Sequence, residues 1–179
     1  PYTTLFRSGK LTVFPNPNAP TGIALPLDQV EAIVASNPDH VVVVDEAYVD
    51  FGADSAVPLL QKYENLLVVM TYSKSRSMAG ARLGFALGSR TLLQDLEKLK
   101  YSTNPYNVNR LTLKLGQAAV DSDGYFREKA REIMATREKT AQALRALSFT
   151  LPDSQANFLF VAHPKVAGET LYRKCKEII

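Results

Sequence analysis

Val41-Val-Val-Val-Asp-Glu-Ala-Tyr48 decides the fold. Four consecutive β-branched residues with no polar alternation read as a strand covered on both faces, as in a parallel sheet flanked by helices. Asp45 falls where such a strand ends, and open α/β sheets bind their ligands beyond the carboxyl ends of strands. Further on, Leu66-Leu-Val-Val-Met70 reads as a second buried strand. It hands the chain to Thr71-Tyr-Ser-Lys-Ser-Arg-Ser-Met-Ala-Gly-Ala-Arg82, a polar stretch with one lysine among hydroxyls and small residues. At the mouth of an apolar strand, partial desolvation makes the Lys74 amine a usable nucleophile. Two strands ending in Asp45 and Lys74 point both groups into one crevice. Upstream, Leu11–Phe14 leads into the turn-rich loop Asn16-Pro-Asn-Ala-Pro-Thr-Gly22.

Periodicity organises the rest. Leu27, Val30, Ile33 and Val34 share one helical face between Pro26 and Ser36, so the first two strands flank a helix and pair in parallel. Val57–Tyr63 reads as a short helix introduced by Pro58, and Leu83–Gly88 as a further short strand. Leu92, Leu93, Leu96 and Leu99 predict a helix over 91–101 with Thr91 as its N-cap. After the turn formers of 102–109 the pattern is helical again over 111–120. Asp123–Leu147 is long for one helix and carries the apolar stripe Phe126, Ala130, Ile133, Ala141 and Leu144, which fits a connector between domains. Leu159-Phe-Val-Ala162, preceded by Ser154-Gln-Ala-Asn157, reads as a strand of a smaller α/β domain.

Composition narrows the function classes. Apolar residues make up 46% and charged ones 22% of the 179 residues, which describes an ordinary globular chain, not a disordered or fibrous one. The formal charge of +3 is mild, and the basic residues of 127–145 alternate with acids as on a solvated helix, which argues against a nucleic-acid partner. No apolar run reaches the length of a membrane span. One cysteine, Cys175, excludes an internal disulfide and fits a reducing cytoplasm. His40 and His163 are the only histidines, far apart and beside turns, so no metal site is expected. Residues 1–8 read as a translated sequencing adapter, outside fold reasoning. Leu171–Ile179 is amphipathic with no capping residue, and both ends therefore read as those of a fragment.

Four stretches carry a resemblance: Asn16–Gly22, Val41–Tyr48, Thr71–Gly84 and Pro105-Tyr-Asn-Val-Asn109. In this order they resemble the fold-type I, pyridoxal-phosphate-dependent aminotransferases, with the histidinol-phosphate aminotransferase branch nearest. The resemblance implies an α/β fold with a central, mostly parallel sheet flanked by helices. It divides the chain into the C-terminal part of a large cofactor domain over 9–122, a connecting helix over 123–147 and the beginning of a small α/β domain over 148–179. It implies pyridoxal 5'-phosphate as cofactor, with Lys74 forming the Schiff base, Asp45 holding a proton at the ring nitrogen, and Tyr48 bonding the ring's phenolic oxygen. Thr71, Ser73 and Arg82 take the phosphate-binding positions. Where the family usually has asparagine before Pro-Thr-Gly this chain has Ala19, which leaves Asn18 as the candidate for that contact. Asn157 falls where the family approaches substrate, and Pro105–Asn109 borders the site.

The implied activity is ping-pong transamination between histidinol phosphate and 2-oxoglutarate in a cytoplasmic homodimer, on amino-acid and keto-acid substrates without nucleic acid or membrane. An aromatic aminotransferase and a threonine-phosphate decarboxylase would use the same residues, since fold and cofactor do not fix substrate. The piece alone is expected to be inactive. A more distant alternative reads Asp45-Glu46 as the metal-binding and water-activating acids of an ATPase, and this would need a phosphate loop that Ser8-Gly9-Lys10-Leu11 does not supply.

Overall fold

A computed structural model describes residues 10–178. The adapter-like segment lies outside the described residues.

Four strands form one sheet in chain order: β1 (Thr12–Pro15), β2 (Val42–Asp45), β3 (Leu66–Thr71) and β4 (Gly84–Gly88). The first three are parallel, with Thr12 opposite Val42 and Val42 opposite Leu66, and β4 runs antiparallel to β3 with Thr71 opposite Gly84. Helix α1 (Leu27–Ala35) connects β1 to β2 and buries Val30, Ile33 and Val34 against Phe14, Val42, Val44, Leu66 and Val68. The apolar period of α1 and the alternate valines of β2 thus meet in one core. The connection from β2 to β3 is two short 3₁₀ turns, Val49–Phe51 and Val57–Gln61, the second opened by Pro58.

Cover on both faces was expected of Val41–Val44: Val42 and Val44 are buried on one face, and Val41 and Val43 are half-buried on the other. Val13 of the neighbouring β1 is 58% exposed. Asn65 stitches the other side together: its amide donates to the carbonyls of Val34, Asn37 and His40 at 3.2, 2.8 and 3.3 Å, locking the end of α1 to the start of β3.

Helix α2 (Arg90–Thr103) is capped by Ser89, whose hydroxyl accepts from Leu92 N, not by Thr91. Ser89 is the residue with extended backbone angles, and an N-cap needs a non-helical residue there. Asn109 caps α3 (Arg110–Asp121) in the same way, at 2.8 Å from Thr112 N. Helix α4 (Asp123–Ala146) rises about 36 Å, and its first half packs by the 49–51 turn. Near its C-terminal end Arg145 pairs with Asp153 at 2.7 Å. Helix α5 (Gly168–Ile178) closes the described chain.

The strand expected over 159–162 does not form. A strand exists only with a partner, and here Ala162 meets Thr150 in a single antiparallel bridge. Among the described residues no helix is long and apolar enough to cross a membrane, and no cluster of potential metal ligands occurs.

Candidate active site

Three loops leave the carboxyl ends of the parallel strands and share one end of the sheet. The backbone ladder runs one bond past the strands: Asn16 N donates to Asp45 O and Glu46 N to Val69 O, both at 2.8 Å. The loop after β1 is held by its own polar groups. Buried Asn16 accepts from Leu25 N at 2.7 Å, and Asn18 Nδ2 donates to Thr21 Oγ1 at 2.7 Å. Asn18 therefore still presents its amide oxygen, while the neighbouring Ala19 is exposed.

Asp45 is the last residue of β2, opposite Pro15 and Val69. Its Oδ1 accepts from Ala47 N at 3.0 Å, which fixes the carboxylate at the loop entrance and leaves the other oxygen to solvent or ligand. Tyr48 begins the Val49–Phe51 turn, and Lys74 sits in the loop after β3. The Lys74 ammonium lies 5.1 Å from the centre of the Tyr48 ring. At an exposed site such a contact stabilises by about 0.5–1 kcal/mol. Lys74 is exposed, so the desolvation expected at the mouth of the strand is not present in this chain. Phe158 meets the Tyr48 ring edge-on with centroids 5.0 Å apart.

Thr71 and Ser73 form a small hydroxyl pair. Thr71 Oγ1 donates to Ser73 Oγ at 3.0 Å, and Ser73 N donates back to Thr71 Oγ1 at 3.1 Å. Arg82 ends the short Ala79–Ala81 turn in the left-handed region at φ 53°, and its Nη1 donates to Ala79 O at 3.2 Å. Ser77, near the start of the same loop, also has φ 53°. Such conformations cost about 1–3 kcal/mol each and gather at ligand clamps. Among the described residues no hydrogen bond or ion pair joins Arg82, Asn18 or Asp45 to Lys74. The structure brings Lys74 to Tyr48 and Thr71 to Ser73, and sets Asp45 on the neighbouring strand end.

Several residues that shape these loops were not read as framework from sequence; Glu46 was read there only as an acid of the ATPase alternative. Glu46 is 2% exposed; its carboxylate accepts from Ser55 Oγ at 2.6 Å and from Ala56 N at 2.5 Å. Burial pushes its pKa up, the two hydrogen bonds pull it down, and Asp50 nearby adds a small upward push. The ATPase alternative needs this carboxylate free to meet a water, and it is instead committed to Ser55 and Ala56 inside the fold. Period-two alternation could have found it, since Glu46 follows Val42 and Val44 onto the core side. Asp50 accepts a hydrogen bond from the Ser75 hydroxyl, and Arg76 pairs with Asp123 at 2.7 Å while stacking over Phe126. Arg137 of α4 donates to Phe51 O at 2.8 Å and to Ala156 O at 2.7 Å, tying segment 154–158 to the loop after β2. Burial lowers the pKa of its guanidinium.

That segment also reaches the first loop, where Gln155 N donates to Gly22 O at 2.7 Å. Asn157 itself is exposed and lines a groove of about 520 Å³ between α4 and residues 157–161. Tyr106 is 91% exposed and packs in no core.

The profile of the family described as aminotransferase class I and II matches residues 6–178. The chain belongs to this family. Histidinol-phosphate aminotransferase 1 of Bordetella parapertussis is 54% identical over 92% of this chain and 46% of its own length. The chain spans about half the length of the relatives it matches. Among solved structures, the histidinol-phosphate aminotransferase of Sinorhizobium meliloti in complex with pyridoxal-5'-phosphate superposes with a TM-score of 0.78 at 26% identity, over 87% of this chain and 42% of that one. L-threonine-O-3-phosphate decarboxylase of Porphyromonas gingivalis superposes at 0.81 with 20% identity, over 94% and 52%, a likeness of fold alone. As an aminotransferase-family chain it carries part of the fold-type I architecture: a mostly parallel four-stranded sheet with flanking helices.

Proposed function

We propose that the whole protein is a pyridoxal-phosphate-dependent aminotransferase that exchanges amino groups between histidinol phosphate and 2-oxoglutarate. The observation that carries this is the meeting of Lys74 and Tyr48 at the carboxyl end of a parallel sheet, with Asp45 at the end of the neighbouring strand. The substrate assignment rests on the 54% identity to a histidinol-phosphate aminotransferase. Division into a large-domain part over 9–122, a connector over 123–147 and the start of a small domain over 148–179 belongs to the same reading.

The residues present fit the cofactor. An exposed amine can hold its aldehyde carbon, a carboxylate with one unused oxygen can face its pyridine nitrogen, and the Thr71–Ser73 hydroxyls with Arg82 offer the donors a phosphate needs. When bound, the pyridine ring takes up the electron pair left as a substrate Cα–H bond breaks.

Each residue then has one task. The Asp45 carboxylate would keep a proton on the ring nitrogen, because an opposite charge close by favours the charged form. The Tyr48 hydroxyl donates to the phenolic oxygen, and Asn18 offers a second polar contact in place of the asparagine that Ala19 replaces. Lys74 Nζ, once freed by the incoming substrate, would take the proton from the substrate Cα and hand it to the former aldehyde carbon of the cofactor, across the intervening nitrogen, as a general base. Thr71, Ser73 and Arg82 would hold the phosphate and so anchor the cofactor at this end of the sheet. A homodimer in the cytoplasm fits this reading, as does the exposed, unpaired Cys175.

Borohydride reduction of the cofactor-loaded protein followed by peptide mapping tests the assignment. The label is expected on the peptide containing Lys74. Label on another lysine would overturn it.

A further inference from the structure

Three loop contacts around Lys74 are not used by the proposed chemistry, and one of them closes a ring. Tyr48 opens the turn that contains Asp50, and Phe51 N donates to Tyr48 O at 3.1 Å, so the two residues are rigidly related. Asp50 accepts from the hydroxyl of Ser75, and Ser75 follows Lys74 directly. Lys74 Nζ returns to the Tyr48 ring at 5.1 Å. The path Tyr48, Val49, Asp50, Ser75, Lys74 and back to Tyr48 is therefore closed by one hydrogen bond and one cation–ring contact.

Burial is unequal along this ring. Ser75 is 9% exposed, whereas Asp50 and Lys74 are both exposed. A lysine stem in water has four rotatable bonds and little to confine it, so the amine can be aimed only by fixing the backbone that carries it. The Asp50–Ser75 bond does this on one side of Lys74. Ser77 N, donating to Lys74 O at 3.1 Å, and the Arg76–Asp123 pair at 2.7 Å hold the residues that follow.

We infer that Asp50 is a positioning residue: through Ser75 it fixes the Lys74 backbone so that the amine meets the face of Tyr48. The inference rests on Lys74 being the cofactor lysine. It concerns the hydrogen bond more than the charge of Asp50, since an amide oxygen at the same place also accepts from a serine hydroxyl, in a bond without charge assistance.

The test uses the whole, cofactor-loaded protein. Asp50→Ala and Ser75→Ala are expected to lower kcat by roughly tenfold to a hundredfold with KM within about twofold, the loss that a small misplacement of a reacting group produces. Both are expected to weaken the induced circular dichroism of the bound cofactor's visible band, which reports how rigidly the lysine-linked ring is held. Asp50→Asn is expected to stay within about twofold of wild type in both readouts, because it keeps the acceptor. Ser75→Ala removes one oxygen without adding volume, so it carries the test alone if Asp50→Ala does not fold. Unchanged kcat and dichroism in Ser75→Ala would overturn the inference, as would an Asp50→Asn loss equal to that of Asp50→Ala. Reduction that labels Lys74 while these variants behave as wild type sinks the positioning role and leaves the cofactor lysine standing; label on another lysine sinks both.

Discussion

Lys74 and Tyr48 lie on loops after different strands, yet the ammonium of one stands 5.1 Å from the ring centre of the other. The contact uses the face of Tyr48, while the edge contact with Phe158 uses its periphery, so neither depends on the hydroxyl. Tyr48→Phe is thus expected to leave stability within about 0.5 kcal/mol, as for a substitution that keeps its packing. Turnover is expected to fall about tenfold or more, the worth of one hydrogen bond to a group whose charge changes. Urea denaturation and steady-state kinetics on the same preparation check both halves.

Asp45 offers the cleaner separation of binding from chemistry. The one hydrogen bond that its side chain makes among the described residues, from Ala47 N at 3.0 Å, can also be accepted by an asparagine amide oxygen, so Asp45→Asn keeps the loop entrance as it is. On the proposed reading, what it loses is the negative charge that would face the ring nitrogen. Cofactor attachment at Lys74 is expected to survive while transamination slows by about a hundredfold or more, the scale for removing a preorganised electrostatic partner. Near-normal turnover with intact attachment would show that the ring nitrogen is not held from Asp45.

Glu46 gives a pH signature of the fold itself. Burial raises its folded-state pKa above the ordinary carboxylate value of about 4.3. A raised pKa means that the folded chain binds the proton more tightly than the unfolded chain. The stability from this group is therefore fully present below the unfolded value and is lost as pH rises through the folded one. Glu46→Gln keeps an acceptor for Ala56 N and does not titrate, so it should flatten stability against pH above about 4 and match or exceed wild type at neutral pH. Glu46→Ala leaves the buried Ala56 N–H unpaired and should cost about 1–3 kcal/mol. Denaturant midpoints measured across pH 3–8 decide it, and a Glu46→Gln curve parallel to wild type would contradict the sign.

How much of this was legible beforehand depends on whether the signal was local. Val41–Val44 and Leu66–Met70 announce strands because consecutive β-branched and aliphatic residues suit a buried, pleated surface, and the structure pairs them in parallel. Lys74, Asp45 and Tyr48 could be placed at strand ends for the same reason. The α2 cap was missed by two positions because Ser89 and Thr91 are both hydroxyl residues, and only backbone angles choose between them. Leu159–Ala162 has strand-like composition, but a strand is made by its partner, and only Thr150 is opposite. Asp50 with Ser75, and Arg137 with Phe51 and Ala156, join segments that no periodicity relates. Contacts of that kind exist only once the sheet has set the loops side by side.

Substrate choice is the point on which the fold says least, since a threonine-phosphate decarboxylase superposes as well as a histidinol-phosphate aminotransferase. The proposed reading expects amino transfer from glutamate to imidazole acetol phosphate to exceed transfer to phenylpyruvate by at least about a hundredfold in kcat/KM. Discrimination of that size needs paired polar groups for the substrate, more than a hydrophobic pocket supplies. Competition between the two keto compounds in one vessel measures the ratio directly. A preference for phenylpyruvate would select the aromatic alternative, and release of carbon dioxide from threonine phosphate the decarboxylase.

Gly22 tests whether segment 154–158 is part of the site's framework. It sits at φ +76°, and a Cβ built on it would come 2.2 Å from Ser154 Oγ and 2.7 Å from Ser154 Cβ. Gly22→Ala therefore meets two separate costs: about 1–2 kcal/mol for a side chain in the left-handed region, and a steric clash that must push Ser154 away. The displaced segment takes with it the Gln155–Gly22 hydrogen bond and the edge contact of Phe158 on Tyr48. Adding Ser154→Gly removes the clash and leaves the backbone cost. It also removes the Ser154 hydroxyl that donates to Phe158 O at 2.7 Å and accepts from Ala156 N at 3.1 Å, so recovery is expected to be partial. The double variant should be more stable than the sum of the two single losses requires, by at least about 0.5 kcal/mol, as for residues in direct contact. Additive losses would mean that Ser154 moves aside freely, and that the segment is not held against the loop after β1.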